Sequence, residues 1–446
     1  MVEMDSYFKM EVKVLIESII VGILAALVVI PYRFIISLIE EMHLKIADIV
    51  GGDSQTFLLW AMITLLLGIA IERIVIWQPF STGSGIPQAR GIMLGIINYD
   101  PLKVILAKFF GGLLAIVNGL SLGKEGPSIQ LGASTGMLVF KRLKNPALGY
   151  KYLISAGAGA GLAAAFNAPL AGALFVFEEL YKQLTPFCLL SSIIASVIAA
   201  YISTIVFGPA SVLHIHVTKN LPLGDCYLII PLGVLAGVCG AVFNKTLLLS
   251  TEIYSRKISK FKLLLPTVLG WFFLFYLPQV MGGGNHLIKN LSESLYAFSF
   301  RALLVLFVVK FLHTILSYCS GAPGGIFLPI LSLGALLGGL YSKAVSTFLG
   351  VDGVYSSNFI ILGMVGIFAA TIRASVTGVV LILELIGGFR ESFLLELMFS
   401  ATISTITAEI LGVEPIYEAL LERLVNNVER KPSRKQLQLH HTQTLK

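Results

Sequence analysis

The chain has 446 residues, 56% of them hydrophobic and 13% charged, with a formal net charge of +7 and a mean hydropathy of +0.87. Soluble domains carry roughly 25% charged residues, so this composition excludes a water-soluble fold and predicts an all-α integral membrane protein with many spans. No basic segment is interleaved with a soluble module, which also argues against a nucleic-acid partner and leaves membrane lipid as the surroundings.

Apolar runs lie near 13–39, 57–77, 102–122, 152–180, 187–208, 226–249, 263–281, 302–319, 326–349, 359–389 and 393–412. A spanning helix needs about 20 residues, so several suffice and others must be tilted, paired or partial. Residues 1–13 mix acids and bases and lack the pattern of a cleaved signal, so the first run is expected to stay as a span. Gly and Pro are scattered through the runs, and interrupted helices survive at membrane depth only where protein or a water-filled cavity surrounds them.

Gly83-Ser84-Gly85-Ile86-Pro87 nearly begins an apolar helical stretch between the second and third runs, and Gly123-Lys124-Glu125-Gly126-Pro127 is a second segment of the same kind. A third is Gly321-Ala322-Pro323-Gly324-Gly325-Ile326-Phe327-Leu328-Pro329. Glycine lets other groups approach the backbone, and proline suits a helix start because its missing N–H had no partner there. Three helix starts would offer free N–H groups and positive dipole ends to one anion. Singly, each is an ordinary re-entrant turn; together they favour an anion site. Ser84 adds a hydroxyl donor or is an ordinary N-cap. Glu125 is a loop acid beside Lys124 or a carboxylate that fills the anion site and lets go when protonated.

Glu178 and Glu179 end the 152–180 run, where negative charge opposes the helix dipole. Adjacent helical residues point about 100° apart, so one faces the interior as a proton acceptor or both are solvated at the interface. An internal repeat is visible: Ala163, Ala168, Gly172 and Glu178 map onto Ala369, Ala374, Gly378 and Glu384 at one constant spacing, and Leu131-Gly132…Gly136 is echoed by Leu333-Gly334…Gly338. Two halves with interrupted helices in matching places predict a transporter-like fold with a site at the repeat interface.

His214 and His216 lack an acidic or thiol partner, and Cys188, Cys226, Cys239 and Cys319 show no ligand spacing, so no metal and no cofactor are expected. Tyr417 is an interface anchor or a phenolic donor to an anion. The basic residues Lys141-Arg142, Lys144, Lys151, Arg256-Lys257, Lys260, Lys262 and the tail Arg430-Lys431…Arg434-Lys435 predict cytoplasmic placement of the tail.

In order and spacing, these motifs resemble those of the CLC chloride channels and chloride/proton antiporters. Gly83–Pro87, Gly123–Pro127 and Gly325–Pro329 look like the three family signatures, and Gly161–Glu179, Ser320–Pro329 and Pro415-Ile416-Tyr417 also match. The resemblance implies two inverted helical halves, about 13–210 and 225–425, within one transmembrane domain over 1–430. It also implies a homodimer with a pore in each subunit. The polar tail 431–446 leaves no room for the paired regulatory domains of many eukaryotic members, which points to a prokaryotic inner-membrane protein with cytoplasmic termini. Ser84 and Tyr417 would donate hydroxyls, and Ile326 and Phe327 backbone N–H groups, to the anion. Glu125 would be the gating glutamate and Glu179 the internal proton-transfer glutamate, which selects antiporter over channel. Gly83, Gly85, Pro87, Gly123, Gly126, Pro127, Gly325 and Pro329 would support the helix starts. Lys124 stands where arginine is common in bacterial members, and Ser375 where proline is frequent. The expected activity is chloride/proton exchange; a passive chloride channel is the rival, and an intramembrane enzyme would need a nucleophile or metal constellation that is not visible.

Overall fold

The computed structural model describes residues 2–50, 54–143, 149–183, 185–209, 212, 213, 215, 217, 219, 221–257, 262–387 and 391–429. Lys144, His214, His216, Lys260 and the tail from Arg430 lie outside them. The first half runs α1 (Val2–Val50), α2 (Ser54–Trp77), α3 (Ile86–Met93), α4 (Pro101–Val117), α5 (Glu125–Leu143), α6 (Gly149–Phe166), α7 (Pro169–Phe175) and α8 (Pro186–Phe207). The second runs α9 (Ile229–Lys257), α10 (Leu264–Tyr276), α11 (Asn285–Ser294), α12 (Phe300–Cys319), α13 (Phe327–Leu349), α14 (Ser356–Ile372), α15 (Ser375–Ile386) and α16 (Glu391–Ile410), and α17 (Ile416–Glu429) follows. Among the described residues, 8 helices are long and apolar enough to cross a membrane.

The two longest apolar runs are each broken in the same way. Residues 152–180 split at Asn167 and residues 359–389 at Arg373, both in left-handed backbone (φ 57° and 68°). A residue in that conformation ends a helix, because it turns the chain out of the ladder. Each short helix then restarts behind an alanine cap, α7 with Pro169 first and α15 with Ser375 first. Ser375 thus occupies the proline position without altering the break, and its hydroxyl pairs with Thr405 at 2.8 Å.

The halves exchange helix caps. Glu178 accepts the N–H groups of Val376 and Thr377 (3.2 and 2.7 Å) and the Thr377 hydroxyl at the start of α15. Its repeat partner Glu384 accepts those of Leu170 and Ala171 (3.0 and 2.8 Å) at the start of α7. Each acid closes its own segment and caps the start of the other, so the two segments lie antiparallel and are related by a two-fold exchange. Antiparallel crossing segments mean that the halves are inverted. The exchange also corrects the view of Glu178 as an acid working against a helix dipole: its carboxylate sits on another helix's positive end. Glu178→Ala is expected to remove a cap worth about 0.5–2 kcal/mol. A lowered thermal midpoint in detergent, with proton coupling intact, would be the signature.

Glycines set the closest helix contacts. An added methyl on Gly132 or Gly136 of α5 would strike the Gly157 or Leu153 carbonyl of α6, and on Gly334 or Gly338 of α13 the Gly363 or Phe359 carbonyl of α14. The looser sequence echo therefore marks equivalent packing, with small residues letting backbones touch where lipid offers no hydrophobic drive. The four cysteines are free, with Cys188 and Cys319 buried and Cys226 and Cys239 partly buried.

Candidate anion and proton site

The three glycine–proline segments meet at one point. Gly83 donates to Ala322 O (3.2 Å) and accepts from Gly324 N (2.9 Å); Gly123 and Gly325 exchange both backbone bonds, at 2.7 and 2.8 Å. A methyl on Gly126 would lie 2.9 Å from Ser84 Cβ, and one on Gly325 3.1 Å from Gly126 N. Only glycine permits this approach. Three helix starts, those of α3, α5 and α13, are thereby held against one another by short backbone bridges.

Pro87, Pro127 and Pro329 each lie within the first three residues of their helices. Gly85, in left-handed backbone (φ 87°), caps α3. The Ser84 hydroxyl oxygen takes the Ile86 N–H at 3.3 Å from the position before the Gly85 cap, and the hydroxyl lies beside that of Tyr318. Ser84, Glu125, Ile326, Phe327 and Tyr417 are all fully buried.

Two kinds of side chain enter this junction without side-chain hydrogen-bond partners. The Tyr417 hydroxyl, at the start of α17, has none, and the Glu125 carboxylate has no side-chain partner, its nearest donors being the backbone N–H groups of Glu125 and Leu328. Glu125 folds back over Gly123, whose α-carbon also faces Pro329 and Leu328, so the carboxylate lies between the starts of α5 and α13. Phe327 packs at 4.8–5.9 Å between centroids against Phe166, Phe175 and Phe368, which fixes the start of α13 in an apolar wall. Buried polar atoms are normally satisfied, so their meeting here marks the junction as a candidate polar site.

A buried lysine holds the first segment in place. Lys108, inside α4, donates to Gly83 O at 2.7 Å, and its counterpart Lys310 in α12 donates to Gly282 O at 2.8 Å and Val280 O at 3.0 Å. Sequence reading passed over both, although a lysine inside an apolar run was signal enough. Lys108→Met is expected to remove one of the two hydrogen bonds to Gly83 O, leaving that from Gly324 N–H, at a cost of about 1 kcal/mol. Chloride flux and the thermal midpoint should fall together; an unchanged midpoint would count against this anchoring.

Glu179 lies apart from the junction. The segment Val176–Tyr181 is a π-helix, a wide turn common at functional positions. It turns half-buried Glu178 to α15 and buries Glu179, neither of whose carboxylate oxygens has a hydrogen-bond partner. Arg90 of α3 places one nitrogen 3.8 Å from Glu179 and another 3.4 Å from Glu418 of α17. Lys182 then pairs with Glu418 at 2.9 Å. Glu418, outside the candidate spans, is held below the usual carboxylate range, first by its hydrogen bond from Lys182.

A cavity of 570 Å³, lined by Gly83, Pro87, Gln88, Tyr318, Leu420 and Arg423 among others, reaches the junction from another side. At roughly 100° per residue, Leu420 and Leu424 lie about 160° and 120° around α17 from Glu418. Helices α3 and α17, which pack on each other, thus contribute both to this cavity and to the Arg90–Glu179–Glu418 cluster, and Glu179 is not among the lining residues.

Residues 63–409 match the family described as voltage gated chloride channel. The chain belongs to this family. It is 35% identical, over 93% of its length and 90% of the relative, to an H(+)/Cl(-) exchange transporter ClcA of Vibrio parahaemolyticus. A ClcA of Salmonella arizonae is 32% identical over 93% and 89%. The crystal structure of a slow cyanobacterial Cl-/H+ antiporter superposes with a TM-score of 0.84 at 29% identity, covering 93% of this chain and 98% of that one. A eukaryotic CLC transporter shares the fold, with a TM-score of 0.74 at 21% identity over 93% and 74%. The protein is a multi-pass membrane protein with the helical architecture of that family.

Proposed function

We propose that the protein is a secondary active transporter that exchanges chloride for protons across the inner membrane. The observation that carries the reading is the pair of buried acids without a side-chain hydrogen bond, Glu125 at the junction of helix starts and Glu179 beside Arg90 of α3. The names of the relatives, H(+)/Cl(-) exchange transporters, agree with it.

Chloride is held by the hydroxyls of Ser84 and Tyr417 and the backbone N–H groups of Ile326 and Phe327. Donors without a full positive charge bind an ion strongly enough to select it and weakly enough to release it. Glu125 is the anion that competes for the same donors: ionised, it closes the path between α5 and α13; protonated, it withdraws and yields to chloride. Glu179 passes protons between Glu125 and the inner solution, while chloride leaves by the 570 Å³ cavity. The two ions thus share the outer part of the path and separate inside.

A passive channel of the same fold would need the anion site alone. Reversal potentials in planar bilayers separate the two: exchange predicts that a pH gradient at equal chloride displaces the reversal potential, and a channel predicts that it stays at zero. The single transmembrane domain over 1–430, the cytoplasmic tail 431–446 and both termini on the cytoplasmic side form part of the same reading. So does a homodimer with one pore per subunit. The mass of the detergent-solubilised particle tests the dimer; a monomeric mass would remove it.

A further inference from the structure

The guanidinium of Arg90 is shared. One nitrogen approaches Glu179 at 3.8 Å and another Glu418 at 3.4 Å, while Lys182 grips the far oxygen of Glu418 at 2.9 Å. Nε and Nη1 of Arg90 make no hydrogen bond, and neither oxygen of Glu179 does. An arginine fork beside one buried carboxylate would normally close on it with two parallel bonds. Here it stands back, drawn toward a second acid that a lysine fixes from behind.

We propose that Glu418 is a positioning residue that keeps Arg90 from closing on Glu179, and so leaves Glu179 free to gain and lose a proton. The inference rests on the proposed role of Glu179 as the inner proton-transfer group. A fully forked Arg90–Glu179 pair would hold the carboxylate ionised, because an opposite charge at contact distance favours the charged form. Loss of Arg90 would act the other way, leaving a buried carboxylate with less reason to ionise. Shared between the two acids, the guanidinium gives an intermediate state.

The charged and titratable groups around Glu179 are Arg90 from α3, Glu178 and Lys182 from its own segment, and Tyr417 and Glu418 from α17. Helices α6 and α8 also pack on this segment, and they bring Tyr152 and Cys188; Tyr152 faces Tyr181, Cys188 and Glu11 of α1. Glu178 is occupied by the start of α15. That leaves Glu418 as the group whose charge sets where Arg90 leans. It is partly exposed, with 40% of its side chain open, so a substitution there disturbs little packing.

The test is the dependence of chloride-driven proton transport on inner pH, measured in liposomes for wild type, Glu418→Gln, Arg90→Gln and the double variant. Glu418→Gln is expected to displace the profile toward acid by about one pH unit, with chloride flux showing that the protein is folded. Arg90→Gln is expected to displace it toward alkali, and Glu418→Gln to give a much smaller acid shift in the Arg90→Gln background than in the wild type, because only the direct repulsion between Glu418 and Glu179 is then left to lose. A direct charge effect or a packing role of Glu418 would give the same shift in both backgrounds. An unshifted profile in Glu418→Gln, or an acid shift of equal size in both backgrounds, overturns the proposal. If Glu418→Gln does not fold, Glu418→Ala is read in its place, with the same acid shift expected and its absence equally fatal. Glu179→Gln run alongside separates the two levels: proton transport that survives it removes the role of Glu179 itself.

Discussion

Replacing Glu179 by glutamine is expected to bring proton transport down to the level of protein-free liposomes while chloride flux continues. The substitution keeps shape and removes only the capacity to ionise. Glu179 lies outside the junction that would hold chloride and does not line the cavity at Gly83 and Tyr318. Its carboxylate oxygens bond to nothing, so the amide breaks no existing hydrogen bond. A uniform loss of both ions would mean that Glu179 supports structure, and retained coupling would mean that protons go elsewhere. Glu178 is the internal control. As a cap on α15 it contributes to stability, and its loss is expected to spare coupling.

Replacing Glu125 is expected to have an effect of the same size with a different pattern. Glu125→Gln removes the group that alternates between carrying a proton and competing with chloride, so proton transport should again fall to background. Glu125→Ala also empties the space over Gly123 between the starts of α5 and α13. Helix starts with free N–H groups receive an anion once the competing carboxylate is gone. Chloride flux should therefore proceed uncoupled in Glu125→Ala, and crystals grown in bromide should show an additional ion near Gly123 by anomalous scattering. Glu179→Gln crystals should show no such gain. A bromide site that is unchanged between wild type and Glu125→Ala would contradict the plug.

Much of this site was legible in the sequence because its parts are local. Glycine and proline report where a backbone must be approached and where a helix starts, and Gly83–Pro87, Gly123–Pro127 and Gly321–Pro329 carry both signals. The repeat was legible for a similar reason, since Glu178 and Glu384 follow the same pattern of small residues. What the two acids do was not legible. Each caps a helix in the other half of the chain, and periodicity along one strand of sequence carries no information about a partner some two hundred positions away. The charge cluster was hidden in the same manner: Arg90, Lys182 and Glu418 come from three elements, and each alone looks like a solvated residue. Lys108 could have been found, for a lysine amid Val104, Ile105, Ala107 and Phe109 has few reasons to be there other than a fixed acceptor.

The central claim is that two ion movements are linked through two buried acids. It is tested most directly by loading liposomes containing the protein with chloride, diluting them into low-chloride medium at equal pH, and following outer pH. Exchange predicts that chloride efflux drives proton uptake and alkalinises the outer medium, even against a small opposing pH gradient, and that Glu179→Ala abolishes the pH change while chloride still leaves. Chloride efflux from the wild type with no proton movement would contradict the account.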